Sequence, residues 1–315
     1  MTEPLLRRLA ARGDKLTVGA LPWVAPVYRA MPQVAEVIEF PFAHGGLQFA
    51  ARRTIAKRIA GQFDAAYVLP NSLKSALLPF LASIPKRIGY LGEARIGLLT
   101  HRLKNPKTKP PMVAFYSALS GDADVAADRP QLQVPDALVN QTLSELGLVR
   151  GAYAVFAPGA EYGPAKRWPA AHYAALANQL TMPVVLLGSG KEAELCSEIA
   201  LKAKNCINLA GKTPLAKAIH ALAASKFIVS NDSGLMHITA ALGVPQVAIF
   251  GSSSPLHTPP LNDVAQVLWL KNDTNYLPAL DCAPCFAREC QFGHARCLQD
   301  IHADHVLKIM ENSAG

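Results

Sequence analysis

At 315 residues the chain exceeds the size at which a single core usually stops growing and is comfortable for two domains. Half of its residues are apolar and 17% are charged, a balance that excludes a disordered chain and permits a large core. Its 31 Lys+Arg against 23 Asp+Glu leave a net charge of +8, which favours anionic partners: phosphorylated sugars, nucleic acid or an acidic membrane surface.

Met1 to Arg8 hold no apolar signal core and no small-residue cleavage site, so a cytoplasmic location is expected. Residues 4–12 read as a helix with Leu5, Leu6 and Leu9 on one face, and Lys15 to Leu21 as a strand. A strand follows at Val34 to Phe40, then a basic helix from Leu47 to Ile59 and a strand from Phe63 to Pro70. Asn71 or Ser72 is placed to cap the next helix, and Pro85 to Tyr90 reads as a short strand. The apolar run Leu77 to Ile84 contains Pro79 and is far short of the ~20 residues that cross a bilayer. His101 to Pro135 is polar and proline-rich and reads as loop; a helix at Pro135 to Leu146 precedes a break at Gly147 to Gly151. The expected division is therefore 1–148, 149–300 and a closing helix, 301–315, that packs back on the first lobe.

The second half alternates strands at Tyr153 to Ala157, Val184 to Leu187, Phe227 to Ser230 and Gln246 to Phe250 with helices. Continuous apolar strands in a βαβα order are the pattern of a parallel, doubly wound sheet, and such sheets bind ligands beyond the carboxyl ends of their strands. Four loops stand there. The first, Pro158 to Pro169, carries Gly159 and two cations, Lys166 and Arg167, fit for a diphosphate or equally for an ordinary loop surface. The second, Gly188-Ser189-Gly190-Lys191-Glu192, permits close backbone approach, with Glu192 as an acceptor for ribose hydroxyls. The third, Asn231-Asp232-Ser233-Gly234-Leu235-Met236-His237, starts a helix whose free N–H groups suit an anion. There Asp232 either faces sugar hydroxyls or caps the helix, and His237 is either a site residue or a satisfied histidine. The fourth is Gly251 to Pro255.

Together, Leu69 to Ala76, Pro158 to Pro169 and Asn231 to His237 resemble glycosyltransferase family 9, in its ADP-heptose:lipopolysaccharide heptosyltransferase II branch, over nearly the whole chain. The resemblance implies an α/β chain of two Rossmann-like lobes (GT-B). It implies inverting transfer of L-glycero-D-manno-heptose from ADP-L-glycero-D-manno-heptose to the first heptose of the lipopolysaccharide inner core, with no cofactor required. Lys166 matches the lysine on the donor phosphates, where it stabilises the leaving diphosphate. Asp232, Ser233, Gly234, Leu235 and His237 match the donor loop, and Gly159, Arg167, Ser189 and Glu192 stand beside it as expected donor contacts. The acceptor it implies, lipid A-Kdo-heptose, places the protein at the inner face of the cytoplasmic membrane. Of the first-half cations Arg52, Arg53, Lys57, Lys74, Arg87 and Arg95, the element ends Lys74 and Arg87 are the expected acceptor contacts.

Members of this family open on an apolar strand and a Trp-x-Gly-Asp loop whose aspartate is the expected general base. Residues 1–315 contain neither, and Glu3 and Asp14 are poor substitutes. The expectation is a start at an internal methionine or a truncation, giving a first lobe without its first strand, donor binding kept and the base missing. A non-catalytic nucleotide-sugar-binding protein and a heptosyltransferase I-like enzyme are the alternatives. Cys282, Cys285, Cys290 and Cys297 form either a metal site or a reduced structural or redox cluster. Nucleic acid is not expected as a partner, because the basic residues are scattered and no aromatic platform accompanies them.

Overall fold

The computed structural model describes residues 1–43, 45–122 and 128–313, which fall into two units, Met1–Asp128 and Arg129–Gly315. In the first unit, α1 (Glu3–Ala11) has Pro4 in its opening turn, where a missing N–H is harmless, and buries Leu5, Leu6 and Leu9. On its other side Arg8 forks onto Asp128 (2.6 and 2.9 Å) and reaches Asp122 (3.0 Å), which also takes Arg12. These pairs tie α1 to the end of the unit.

β1 (Leu16–Ala20) and β2 (Val34–Glu39) run parallel in a two-stranded sheet, joined through α2 (Ala25–Arg29). After α3 (Phe49–Ile59) comes a second parallel sheet, β3 (Ala65–Val68), β4 (Lys86–Tyr90) and β5 (His101–Leu103), with α4 (Leu73–Leu81) between its first two strands and α5 (Met112–Ser117) after the third. No strand among the described residues joins the two sheets. The segment expected to be loop thus contains β5 and α5, while its residues 123–127 lie outside those described. A three-residue strand has no readable period, and Pro110-Pro111 ahead of α5 disguises a helix start as a loop.

The second unit holds α6 (Asp136–Leu146), β6 (Ala154–Ala157), α7 (Ala170–Gln179), β7 (Val184–Leu186), α8 (Ala193–Lys202), β8 (Cys206–Asn208), α9 (Leu215–Ala223), β9 (Phe227–Asn231), α10 (Gly234–Leu242), β10 (Gln246–Ile249), β11 (Ala265–Leu268), α11 (Arg296–Gln299) and α12 (Ala303–Ser313). Its sheet is parallel throughout, in the order β11-β10-β9-β6-β7-β8. The four central strands are buried along their whole length, as apolar strands covered on both faces must be. The sequence left out β8 and β11, which are the two edges and are partly exposed.

Two expected boundaries move. The division falls at 128/129 and not at 148/149, because α6 packs on α9, with Thr142 Oγ1 2.7 Å from His220 Nδ1 and Glu145 paired to Lys217. The closing helix, expected on the first lobe, instead sinks Val306 and Met310 into the second unit's own core beside Trp168. Its apolar face is matched by α7 and the sheet rather than by a distant partner.

At the carboxyl end of the β3-β4-β5 sheet, Arg95 is fully buried. Its guanidinium donates to the Pro70 carbonyl (2.7 Å), to Asn71 Oδ1 (3.1 Å) and to the Tyr90 carbonyl, so it clamps the loops after β3 and β4. It is therefore a staple and not a surface cation. Replacing it leaves buried acceptors unpaired, so Arg95→Ala is expected to lower the unfolding free energy by about 3 kcal/mol in urea titration.

Candidate functional site

In the second unit the strand order turns at β6 and β9: from β6 the chain winds one way through β7 and β8, and from β9 the other way through β10 and β11. Such a switch point opens a crevice between the two loops that leave it. Lys166, from the loop after β6, and Asp232, from the loop after β9, meet across it at 2.5 Å. Asp232 is nearly withdrawn from water (4% side-chain exposure) and Lys166 mostly so (18%). Thr258 donates its hydroxyl to the other Asp232 oxygen at 3.3 Å. The Lys166 ammonium also lies 5.4 Å from the centre of the Tyr162 ring, whose other cationic neighbour is the Arg288 guanidinium at 5.6 Å. Tyr162 belongs to the Pro158 to Pro169 loop itself, whereas Thr258 and Arg288 carry no motif that marks them in the sequence and are brought in by folding of distant segments.

The loop after β6 is built around buried hydrogen bonds. Asn231, fully buried at the end of β9, accepts from the Trp168 amide (3.0 Å) and the Tyr173 hydroxyl (3.2 Å) and donates to the Pro158 carbonyl (2.6 Å). Trp168, also fully buried, donates its indole N–H to the Ile301 carbonyl at 2.8 Å. The loop's middle rests on the Phe286 to Arg288 segment: Tyr162 donates to the Phe286 carbonyl (2.9 Å) and the Ala165 amide to the Arg288 carbonyl (3.0 Å). Gly163 is needed there, since a Cβ would stand 2.5 Å from the Arg288 carbonyl oxygen. The position of Lys166 is thus fixed from both sides.

The α10 start differs from the expected capped helix. Ser233 occupies the N-cap position without making a side-chain cap, and its hydroxyl is buried with no partner, as are those of Ser230 and Ser253. Asp232 is not the cap either, because its carboxylate is held by Lys166 and Thr258. The first N–H groups of α10, around Gly234 and Leu235, thus lack a capping side chain at the positive end of the helix dipole. His237, on the first turn of α10, is half-buried. Burial pushes its imidazole pKa below the usual value, with the Lys166 ammonium acting the same way and the Asp232 carboxylate opposing, which leaves it neutral at pH 7.

The second loop is a capping box: Glu192 Oε2 accepts from the Ser189 amide (2.7 Å) and hydroxyl (2.5 Å), while the Ser189 hydroxyl receives the Lys191 amide. Glu192 lies against Gly159, where a Cβ would be 2.5 Å from its Cγ and 3.1 Å from Oε1. Ser189 and one oxygen of Glu192 are therefore structural, and Oε1 is the oxygen turned toward the β6 loop. Arg167 also serves its own loop, with one nitrogen 3.4 Å from the Ala160 carbonyl.

In the first unit Lys74 sits in the opening turn of α4, at the carboxyl end of β3 and half-exposed, as expected. Arg87 does not share that edge. It lies at the amino end of β4, donating to the Leu98 carbonyl (2.6 Å) and the Ile84 carbonyl (2.5 Å), so two of its nitrogens hold backbone at the edge opposite Lys74. The four clustered cysteines line one small cavity with His294 and Ser252, and all are free thiols. Among the described residues no three His, Cys, Asp or Glu are placed to hold a metal ion. Their chemistry is uneven. Burial pushes the Cys297 thiol up to about 11, reinforced by its three cysteine neighbours. At Cys290 burial works the same way but is outweighed by the backbone amides of Ala295, Phe292, Gly293 and His294, leaving that thiol below its usual value.

Residues 52–296 match the family model described as glycosyltransferase family 9 (heptosyltransferase). The chain is 44% identical to the lipopolysaccharide heptosyltransferase 2 of Escherichia coli (strain K12), covering 98% of this chain and 92% of that protein. The Salmonella typhimurium protein of the same name matches with the same identity and coverage. Among solved structures, that of the E. coli ADP-heptose lps heptosyltransferase II superposes with a TM-score of 0.85 at 38% identity, over 99% of this chain and 94% of that one. By that family model, those relatives and its two parallel-sheet units, this chain belongs to glycosyltransferase family 9, the heptosyltransferases.

Proposed function

We propose that the second unit binds ADP-L-glycero-D-manno-heptose across the β6/β9 switch point, and that the chain transfers its heptose to the first heptose of a lipopolysaccharide inner core. The observation that carries this reading is the Lys166–Asp232 pair beside the uncapped start of α10. In that geometry the diphosphate takes the N–H groups of Ser233, Gly234 and Leu235 and the Lys166 ammonium. Glu192 Oε1 and the neutral His237 stand as hydrogen-bond partners for the ribose and sugar hydroxyls. Departure of the diphosphate builds negative charge at the phosphate oxygens, which a preset ammonium and aligned amides stabilise without reorganising. In this reading they do so with no metal cofactor.

The acceptor side is supported by charge. Residues 1–128 hold 17 Lys+Arg and 9 Asp+Glu, whereas residues 129–315 hold 14 of each, so the whole net charge of +8 lies in the first unit. An acceptor bearing carboxylates and phosphates on a lipid, lipid A-Kdo-heptose, fits that excess. No helix among the described residues is long and apolar enough to cross a membrane, so a peripheral position at the inner face is the location this function requires.

Incubation with ADP-heptose and a heptosylated inner-core acceptor is expected to add one heptose to the acceptor and release ADP; an acceptor mass that stays unchanged while ADP binds would reject the transfer step. Lys166→Ala is expected to weaken ADP binding by one to two orders of magnitude in calorimetric titration, the range for losing a charge-assisted bond of about 1.5–3 kcal/mol. Unaltered affinity would remove Lys166 from the donor site. Gly163→Ala drives a Cβ into the Arg288 carbonyl and displaces the segment that carries Lys166. Its ADP affinity is expected to fall at least fivefold, a loss of about 1 kcal/mol from misplacing a bond of that strength, and native-like ADP affinity would show that the loop tolerates the shift.

A further inference from the structure

Between Glu39 and Asp64 the chain has no carboxylate and carries Arg52, Arg53, Lys57 and Arg58. Arg52 is buried, and burial lowers its pKa from the ordinary value. It donates to the Leu47 carbonyl (2.7 Å) and lies 4.1 Å over the Phe42 ring, while Gln48, in the left-handed region at φ 48°, accepts the Ala43 amide at 3.1 Å. A buried guanidinium thus fixes the loop ahead of α3. What the loop and the first residue of α3 present is apolar: Leu47 and Phe49 are each 48% exposed.

α3 sets these side chains beside charge. Ile55, Ala56 and Ile59 face the core, and Phe49, Arg53 and Lys57, spaced four apart, form an exposed stripe along the border of that face. Arg53, Lys57 and Arg58 enter no ion pair among those formed by the described residues. Single exposed apolar residues are ordinary on a soluble surface. Two at the junction of a pinned loop and α3, with unpaired cations one and two turns away and no acid in the stretch, have the make-up of an interfacial membrane contact.

We propose that Leu47, Phe49, Arg53 and Lys57 form a docking surface for an anionic phospholipid bilayer, the apolar pair entering the headgroup boundary and the cations meeting lipid phosphates. The surface deepens the peripheral location proposed above. It is tested on vesicles without donor, and with acceptor only as a control, so its failure and that of the transfer reading are separate results.

Sedimentation with phosphatidylethanolamine/phosphatidylglycerol vesicles is expected to carry the full chain down, with weaker binding at higher salt and far less on pure phosphatidylcholine. Leu47→Ser/Phe49→Ser is expected to lower vesicle affinity tenfold or more, a conservative share of two apolar burials, with ADP affinity and unfolding midpoint unchanged. Arg53→Gln and Lys57→Gln each cost roughly fivefold. Phe49→Trp keeps binding, and its added fluorescence shifts to the blue on vesicles. Undiminished binding by the double variant, equal binding to phosphatidylcholine, binding only when vesicles contain the acceptor glycolipid, or an unshifted emission from the Phe49→Trp variant each overturns the proposal.

Discussion

A lysine from one loop and an aspartate from another, paired at 2.5 Å with little water around them, decide what the second unit can hold. Burying two such charges costs several kcal/mol each in hydration, and their attraction offsets this only when the geometry is kept. The surrounding structure keeps it. Asn231, next to Asp232 in sequence, reaches back with its amide to both ends of the loop that carries Lys166, so one residue position couples the two sides of the switch point. Removing either charge strands the other in a place that cannot hydrate it, which makes the pair intolerant of single substitutions whatever its role in chemistry.

On the donor-binding reading proposed above, the pair also accounts for an otherwise awkward feature, a carboxylate at a phosphate site. Free, Asp232 would repel a diphosphate. Neutralised by Lys166, tethered by Thr258 and lying beside the positive end of α10, it instead holds the ammonium in place. In that reading the three N–H donors of Lys166 serve both Asp232 and the phosphate oxygens, because the lysine has more donors than one carboxylate uses.

Much of this was legible in the sequence, unevenly. The central strands of the second unit read clearly because they are continuous apolar runs, and the loops after them followed from topology. Asp232 as a helix cap did not survive, because the partner that claims it, Lys166, is 66 residues away and no local rule sees it. Glu192 shows the reverse: its spacing from Ser189 is the capping box, a local signal that accounts for one oxygen before any ribose is invoked. Arg87 looked like an acceptor contact only because it ends a strand; which end it occupies and the carbonyls it meets are facts of pairing. Likewise α12 reads as amphipathic, yet amphipathicity names a buried face and not the neighbour that covers it.

The two units divide the electrostatic work. In the second, cations and anions balance, and the key cation is already matched, so an anion is drawn by fixed groups at one crevice and not by a field spread over the surface. In the first, eight uncompensated positive charges act at longer range, within a screening length of about 8 Å at physiological salt. A small, soluble, doubly charged diphosphate is best selected by geometry, since many metabolites share its charge. A lipid-anchored acceptor is best found by attraction to the surface in which it sits, with recognition following capture. The split of charge along this chain meets those two demands with separate pieces of structure, and it makes each separable by mutation: the crevice answers to single atoms, the basic unit to total charge and salt.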